Sequence, residues 1–315
     1  MPDILITEMM DRRAVDELCK DFDAVYDKNL VDNRERLKAL LPGCRALIVR
    51  NRTQVNASLL DAGKDLVIIG RLGVGLDNID VPLCEERGIR VAPATGANSI
   101  SVAEYVMGGI LLFARLSAYQ GTLKVIAGDW PREAQIGGEI AGKTLGLAGF
   151  GSIAREVAVR ARAFGLNILG HDPFIPDDAS LWREYNAKPV ALETLLADSD
   201  IVSLHMPLTP QTRNLLNASL LRLMRKDALL INTARGDIVD EAALAAALKN
   251  GHIGGALLDV FAKEPFTPDS PLAQAPNCIL TAHIAGVTHA SNRRISSVTA
   301  HNVRRALLAC EAPRK

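Results

Sequence analysis

The chain has 315 residues, enough for two domains that each bury a core. Its 36 Lys and Arg balance its 36 Asp and Glu, so net charge gives no reason to expect nucleic acid or an anionic membrane as partner. Five scattered cysteines, Cys19, Cys44, Cys84, Cys278 and Cys310, are never paired at metal-ligand spacing, which argues for thiols in a reducing cytoplasm and against a metal centre.

The N-terminus lacks a basic segment ahead of an apolar one, so no signal peptide is expected. Ile4-Leu5-Ile6, Ala46-Leu47-Ile48-Val49 and Leu66-Val67-Ile68-Ile69 read as buried strands with helix-like segments between them. That alternation predicts a parallel sheet covered on both faces over roughly 1–97. A long helix follows. Ser99 or Ser101 is its expected cap, with Glu104 in the first turn, where a carboxylate suits the positive helix end. The longest apolar region, Val102 to Ala118, is broken by Glu104 and Arg115, so it reads as a buried helix and not a membrane span.

Six further strands are predicted: 145–148, 167–170 (ending at His171-Asp172), 201–204 (ending at His205), 228–232 (ending at Thr233), 255–258 (ending at Asp259) and 278–281 (ending at His283). Six is the number expected of a full dinucleotide fold, whose ligands bind just beyond the carboxyl ends of the strands. Ala290 to Cys310 reads as a helix returning to the first unit. The predicted architecture is α/β: two Rossmann-like, doubly wound parallel-sheet domains with an active-site cleft between them. A discontinuous substrate-binding domain takes 1–97 plus 288–315, and a dinucleotide-binding domain takes 98–287. Hinges are expected near 97–101 and 286–290.

Gly149-Phe150-Gly151-Ser152-Ile153-Ala154 follows a strand and opens a helix. Gly149 suits the tight turn, Gly151 lets backbone approach a pyrophosphate, and Ala154 stands where a third small residue lets helix and strand pack. The helix beginning near Ser152 directs unpaired N–H groups and its positive end at phosphate. Asp172 ends the next strand about 20 residues on, where a carboxylate bonds ribose hydroxyls and repels a 2′-phosphate, so NAD is favoured over NADP.

Three ionisable residues close short motifs after apolar runs: Arg235 in Asn232-Thr233-Ala234-Arg235-Gly236, Glu264 in Asp259-Val260-Phe261-Ala262-Lys263-Glu264-Pro265, and His283 in Thr281-Ala282-His283-Ile284-Ala285-Gly286. A cation, a carboxylate and an imidazole beside a nucleotide site can bind a carboxylate substrate and move a proton while the cofactor moves a hydride. His252, His289 and His301 read as structural or exposed.

In this order after a glycine turn, these motifs resemble the D-2-hydroxyacid dehydrogenase family. Leu72-Gly73-Val74-Gly75-Leu76-Asp77-Asn78-Ile79-Asp80 and Asn98-Ser99-Ile100-Ser101-Val102-Ala103-Glu104 extend the resemblance over nearly the whole chain. It implies an NAD-dependent oxidoreductase in which Arg235 binds the substrate carboxylate, His283 carries the proton and Glu264 orients the imidazole. It further implies cofactor contacts from Gly149, Gly151, Ser152, Ile153, Asp172, Pro207, Thr212, Thr233, Ala234, Arg235, Asp259, His283, Gly286 and Val102. His205, in a stretch that passes close to the cofactor in the family, is expected to make contact rather than catalyse. Val74 and Gly75 would offer N–H groups to the substrate carboxylate, and Asn51 and Arg52 would face the cleft. A cytoplasmic homodimer formed through the cofactor domain, with Val102 to Trp130 in the interface, is also implied.

Two positions depart from the family pattern. Ser152 stands where many relatives carry Arg, with Arg155 one helical turn inside, so phosphate binding leans on backbone and helix dipole. Ala282 stands where many carry Pro, and only local consequences are expected. The substrate is less legible. Arg50 and Arg52 flank Asn51, and one of them is a candidate for a second anionic group. A cleft arginine would suit 3-sulfolactate, 3-phosphoglycerate or a comparable dianionic acid; the overall resemblance favours the 3-sulfolactate branch, with 3-phosphoglycerate or glycerate/hydroxypyruvate as alternatives. Because the chain ends soon after its returning helix, the C-terminal regulatory domain of many phosphoglycerate dehydrogenases is expected to be absent. A reading of a different kind is a non-catalytic NAD(H)-sensing scaffold like the corepressors that share the fold.

Overall fold

The structure, a computed structural model, describes residues 1–311. The chain divides into two units: Met1–Asn98 with the segment from Val287 onward, and Ser99–Gly286.

The first unit holds five parallel strands: β1 (Ile4–Ile6), β2 (Ala24–Tyr26), β3 (Ala46–Val49), β4 (Ile68–Arg71) and β5 (Arg90–Pro93). Their order is β2-β1-β3-β4-β5. The central strands β1 and β3 are apolar throughout because helices cover both faces of the sheet. Ile6, Ile48 and Ile68 pack on one side with Val303 and Leu307 of the returning helix His289–Glu311. Leu5, Leu47 and Ile69 pack on the other with Leu37 and Leu59. Each such side chain stabilises the unit by roughly 1.5–3 kcal/mol. The two edge strands, β2 and β5, were not among the strands expected from sequence. β2 is only three residues long and partly exposed, and β5 opens on the exposed Arg90 and ends in Pro93, so neither gives the longer buried apolar run that marks a central strand.

The second unit holds β6 (Thr144–Ala148), β7 (Asn167–His171), β8 (Ala187–Pro189), β9 (Ile201–Leu204), β10 (Leu229–Asn232), β11 (Gly255–Leu258) and β12 (Cys278–Leu280). All are parallel, in the order β12-β11-β10-β9-β6-β7-β8. The sheet therefore has seven strands, not six. The addition, β8, is an edge strand of three residues with Lys188 exposed and Pro189 at its end, where a missing N–H is harmless. Strand order reverses between β6 and β9, which opens a crevice at their carboxyl ends.

The long helix is Ser99–Ala114. It starts at Ser99, so Ser101 lies inside it and Glu104 falls in the second turn, contrary to the expected first. Both serines are buried, so burial rather than dipole chemistry governs that end of the helix. A short helix, Leu116–Tyr119, follows Arg115, and no described helix is long and apolar enough to cross a membrane.

Candidate active site

The glycine turn joins β6 to the helix Ser152–Ala163. Gly149 has φ +88°, and a Cβ there would lie 2.8 Å from the backbone carbon of His205. Only glycine meets both conditions. Gly151 caps the helix without a side-chain bond, and a Cβ there would meet nothing within 4 Å. The first-turn N–H groups, Ser152 and Ile153 among them, have no acceptor within the helix, and Ser152 is exposed. Ser99 Oγ donates to Ser152 Oγ at 3.1 Å, and Arg155 Nε reaches back to the carbonyl of Phe150 at 3.1 Å. Arg155 therefore braces the turn from inside. Val102 is buried in the core with Phe150 and Ala154, beneath the turn.

Asp172 is tied to the same turn. Its Oδ2 accepts from Phe150 N (2.9 Å) and its Oδ1 from Phe174 N (3.0 Å). Each oxygen retains an acceptor direction. Beside it opens a cavity of about 390 Å³ lined by His171, Asp172, Phe174, Trp182 and Val190 among others. His171 was read only as a strand end, and Phe174 escaped the sequence reading, although it is two residues past Asp172 and 89% exposed. Open helix N–H groups, a glycine with space above it, and a carboxylate beside a cavity of this volume fit a dinucleotide.

His205 ends the next strand, where its Nε2 meets Ser203 Oγ at 2.9 Å. Burial pushes its imidazole down to about 3, so it is neutral. Thr212 Oγ1 donates to the carbonyl of Pro207 at 2.7 Å and closes that loop on itself. Thr233 Oγ1 is buried without a hydrogen-bond partner in the structure, as expected of a hydroxyl awaiting a ligand.

Arg235 follows β10. Buried Asn232 shapes its loop: Oδ1 accepts from Ala234 N (3.0 Å) and Nδ2 donates to the Arg235 carbonyl (2.8 Å). A Cβ on Gly236 would lie 1.8 Å from the carbonyl carbon of Phe261. The loop bearing Arg235 thus interlocks with the loop bearing Glu264, and glycine permits that approach.

Glu264 Oε2 meets His283 Nδ1 at 2.8 Å, while Oε1 accepts from Phe261 N at 3.1 Å. Burial alone would raise the Glu264 carboxyl. The hydrogen bond and charge of His283, the Phe261 N–H and Arg235 outweigh it and hold the group below its ordinary value. Glu241 steadies the same loop by accepting from Ala262 N at 2.8 Å.

His283 has φ +54°, a left-handed conformation that is costly for a non-glycine residue. Asp259 holds it there. The His283 N–H donates to the Asp259 carbonyl at 2.9 Å. The Asp259 carboxylate accepts from Thr281 Oγ1 (2.6 Å), Ile284 N (2.8 Å) and Ala285 N (2.7 Å). Asp259 therefore acts chiefly on the His283–Gly286 loop, a role its sequence position did not disclose.

In the first unit, the residues expected to meet substrate sit on two loops. Gly73 turns the chain, its N–H bonded to the Arg71 carbonyl at 2.8 Å, and Val74 is 39% exposed. Asn51 and Arg52 are exposed after β3. Arg50 Nη1 donates to Asn292 Oδ1 (2.9 Å) and the Met9 carbonyl (3.3 Å), and Arg52 pairs with Asp32. Both candidate arginines for a second anion therefore already hold partners.

A dinucleotide turn with a cation, carboxylate and imidazole on adjacent loops defines the class: a nicotinamide-dependent oxidoreductase. Residues 109–285 match the family described as D-isomer specific 2-hydroxyacid dehydrogenase, NAD binding domain. The chain is 54% identical over 307 residues to the (S)-sulfolactate dehydrogenase of Chromohalobacter salexigens, covering 98% of this chain and 99% of that one. It is 38% identical over 300 residues to the D-3-phosphoglycerate dehydrogenase of Archaeoglobus fulgidus, spanning 95% of this chain but 56% of that one. The solved glyoxylate reductase of Paecilomyes thermophila superposes with a TM-score of 0.82 at 29% identity, over 96% of this chain and 94% of that one. The chain belongs to the D-isomer specific 2-hydroxyacid dehydrogenases and works with NAD.

Proposed function

We propose that the chain interconverts (S)-sulfolactate and sulfopyruvate. The observation that carries this reading is 54% identity to an (S)-sulfolactate dehydrogenase over nearly the full length of both chains. The stereochemistry agrees with the family. Sulfur outranks oxygen in the priority rules, so replacing a methyl of D-lactate by a sulfomethyl group changes the label from R to S without moving an atom. (S)-Sulfolactate is therefore the D-like isomer.

Bound NAD supplies the hydride acceptor. The planar fork of Arg235 binds the C1 carboxylate and fixes C2 and its oxygen. Glu264 occupies His283 Nδ1, so Nδ1 carries a proton and Nε2 faces substrate. In oxidation Nε2 takes the hydroxyl proton as the C2–H bond breaks. In reduction the imidazolium returns it to the carbonyl oxygen. Glu264 stabilises that imidazolium. Gly151, Ser152 and Ile153 offer backbone to the pyrophosphate and Asp172 meets the adenosine ribose. Pro207, Thr212, Thr233, Ala234 and Gly286 complete the cofactor contacts, while the buried Val102 and Asp259 support them from beneath. Val74, Gly75, Asn51 and Arg52 act on the substrate.

The working form is a cytoplasmic homodimer built through the NAD-binding unit. Leu123, Ile126, Trp130 and Ile136 are each at least 75% exposed, an apolar stretch that a second copy would cover. All five cysteines are free thiols, in keeping with a reducing compartment.

The test is a panel of sulfopyruvate, phosphohydroxypyruvate, hydroxypyruvate, glyoxylate and pyruvate, followed by NADH absorbance. Sulfopyruvate should give the highest kcat/KM. Preference for the phosphate, or for substrates without a C3 anion, would overturn the assignment.

A further inference from the structure

Beneath the Arg50–Thr53 loop lies Glu8, a carboxylate that the reaction itself does not use. Glu8 follows β1 by two residues and is 4% exposed. Its Oε1 accepts from Arg50 N and Thr53 N, each at 2.9 Å. Its Oε2 accepts from Arg52 N at 3.1 Å and Asn51 N at 3.3 Å. Four consecutive N–H groups thus converge on one carboxylate, as in a backbone anion nest.

The carbonyl side of the loop is held too. Asn78, 7% exposed, donates from Nδ2 to the carbonyls of Thr53 (2.7 Å) and Arg50 (3.3 Å). Thr7 Oγ1 meets Thr53 Oγ1 at 2.9 Å. Burial would raise the Glu8 carboxyl, but the N–H groups of Thr53, Arg50 and Arg52 outweigh it and hold it below its ordinary value. It is therefore charged at neutral pH.

We infer that Glu8 is a positioning residue for substrate selectivity: it shapes the 50–53 loop and so aims the exposed side chains of Asn51 and Arg52. The inference rests on the reading of this loop as a substrate loop. It also limits how the loop can recognise an anion. Because Glu8 fills the nest, the four N–H groups cannot serve a sulfonate, and recognition at this loop falls to side chains. Arg52 is suited to it. Its partner Asp32 lies in an exposed pair, with side chains 59% and 60% exposed, and such pairs are weak enough to exchange.

The experiment compares wild type with Glu8→Gln and Asn78→Ala, using sulfopyruvate and pyruvate at saturating NADH. Glutamine keeps the shape but turns an amide NH2 toward backbone donors. Glu8→Gln should raise KM for sulfopyruvate about tenfold or more, the scale of a lost charge-assisted hydrogen bond. Its kcat and NADH KM should stay near wild type, and pyruvate KM should change much less. Asn78→Ala loosens the loop from its other side and should shift the same quantity in the same direction. It keeps the inference testable if Glu8→Gln does not fold. Equal losses on both substrates in a folded variant, or unchanged sulfopyruvate KM, would overturn it. Wild type that ignores sulfopyruvate would instead overturn the substrate reading.

Discussion

Glu264→Gln isolates the contribution of one charge. Gln keeps the length and one oxygen of Glu264, so the Phe261 N–H retains its acceptor. What is lost is the negative partner of the imidazolium at 2.8 Å. A hydrogen bond to a charged group contributes roughly 1.5–3 kcal/mol when well shielded. Here the two side chains are 45% and 36% exposed, so solvent screening reduces the effect. About 1 kcal/mol is the appropriate scale, or roughly a fivefold change. The direction follows from the reaction. Reduction needs the imidazolium and oxidation needs the neutral imidazole. With the counter-charge gone, 2-oxoacid reduction should fail at a lower pH than in wild type, and oxidation should persist to a lower pH. Profiles of kcat/KM against pH in both directions, with NADH or NAD saturating, measure the displacement. Profiles that superimpose on wild type after scaling would refute Glu264 as the electrostatic partner. An alkaline displacement would reverse its sign.

Other substitutions test separate links. Gly151→Ala should fold with unchanged Tm, because its Cβ meets nothing in the protein, yet raise KM for NAD by crowding the phosphate approach. Gly236→Ala should lower Tm sharply, because its Cβ would lie 1.8 Å from the Phe261 carbonyl carbon, and differential scanning fluorimetry compares the two. Arg235→Lys should cut kcat/KM for 2-oxoacid roughly 10–100-fold while NADH binding, read by fluorescence, persists, since a point charge replaces a bidentate fork. Glu8 should also mark acid stability. Its folded-state value lies below the ordinary 4.5, so as pH falls the unfolded chain takes up this proton first. The contribution is present above that ordinary value and is lost as pH falls through the folded-state one. Wild-type Tm should therefore drop more steeply than that of Glu8→Gln between about pH 5 and 3.

Much of the fold was legible because parallel strands covered on both faces are apolar at most positions. Ile201–Leu204 and Gly255–Leu258 are buried at all four residues. The strands that escaped, β2, β5 and β8, all lie at sheet edges. There one side of the backbone is unpaired and the side chains are partly exposed, so the apolar run is short, as in β2, or broken by polar residues and proline, as in β5 and β8. Helix entry failed differently. The residues flanking Ser99 permit several capping patterns, and which one forms depends on what the rest of the unit buries.

At the site, residue identity was legible and mutual support was not. Arg235, Glu264 and His283 stand in distinctive motifs, but what fixes their geometry is nonlocal. Gly236 matters because of Phe261, Glu264 is steadied partly through Glu241, and Glu8 acts on residues more than 40 positions away. The signal for Glu8 was nonetheless present. It is a charged residue just beyond an entirely buried strand, the same kind of position that singled out Asp172 and Asp259.

The Ala282 substitution illustrates the same point. Proline before His283 would restrict residue 282, yet the costly conformation belongs to His283 itself. Four bonds accepted by Asp259 act from outside the dipeptide: its carbonyl takes the His283 N–H, and its carboxylate takes donors of Thr281, Ile284 and Ala285. Their combined contribution, about 0.5–1.5 kcal/mol each, exceeds the roughly 1–2 kcal/mol cost of one left-handed residue. A carboxylate that bonds both sides of His283 holds the imidazole toward Glu264 whether residue 282 is Pro or Ala. The departure from the family pattern is therefore structurally neutral.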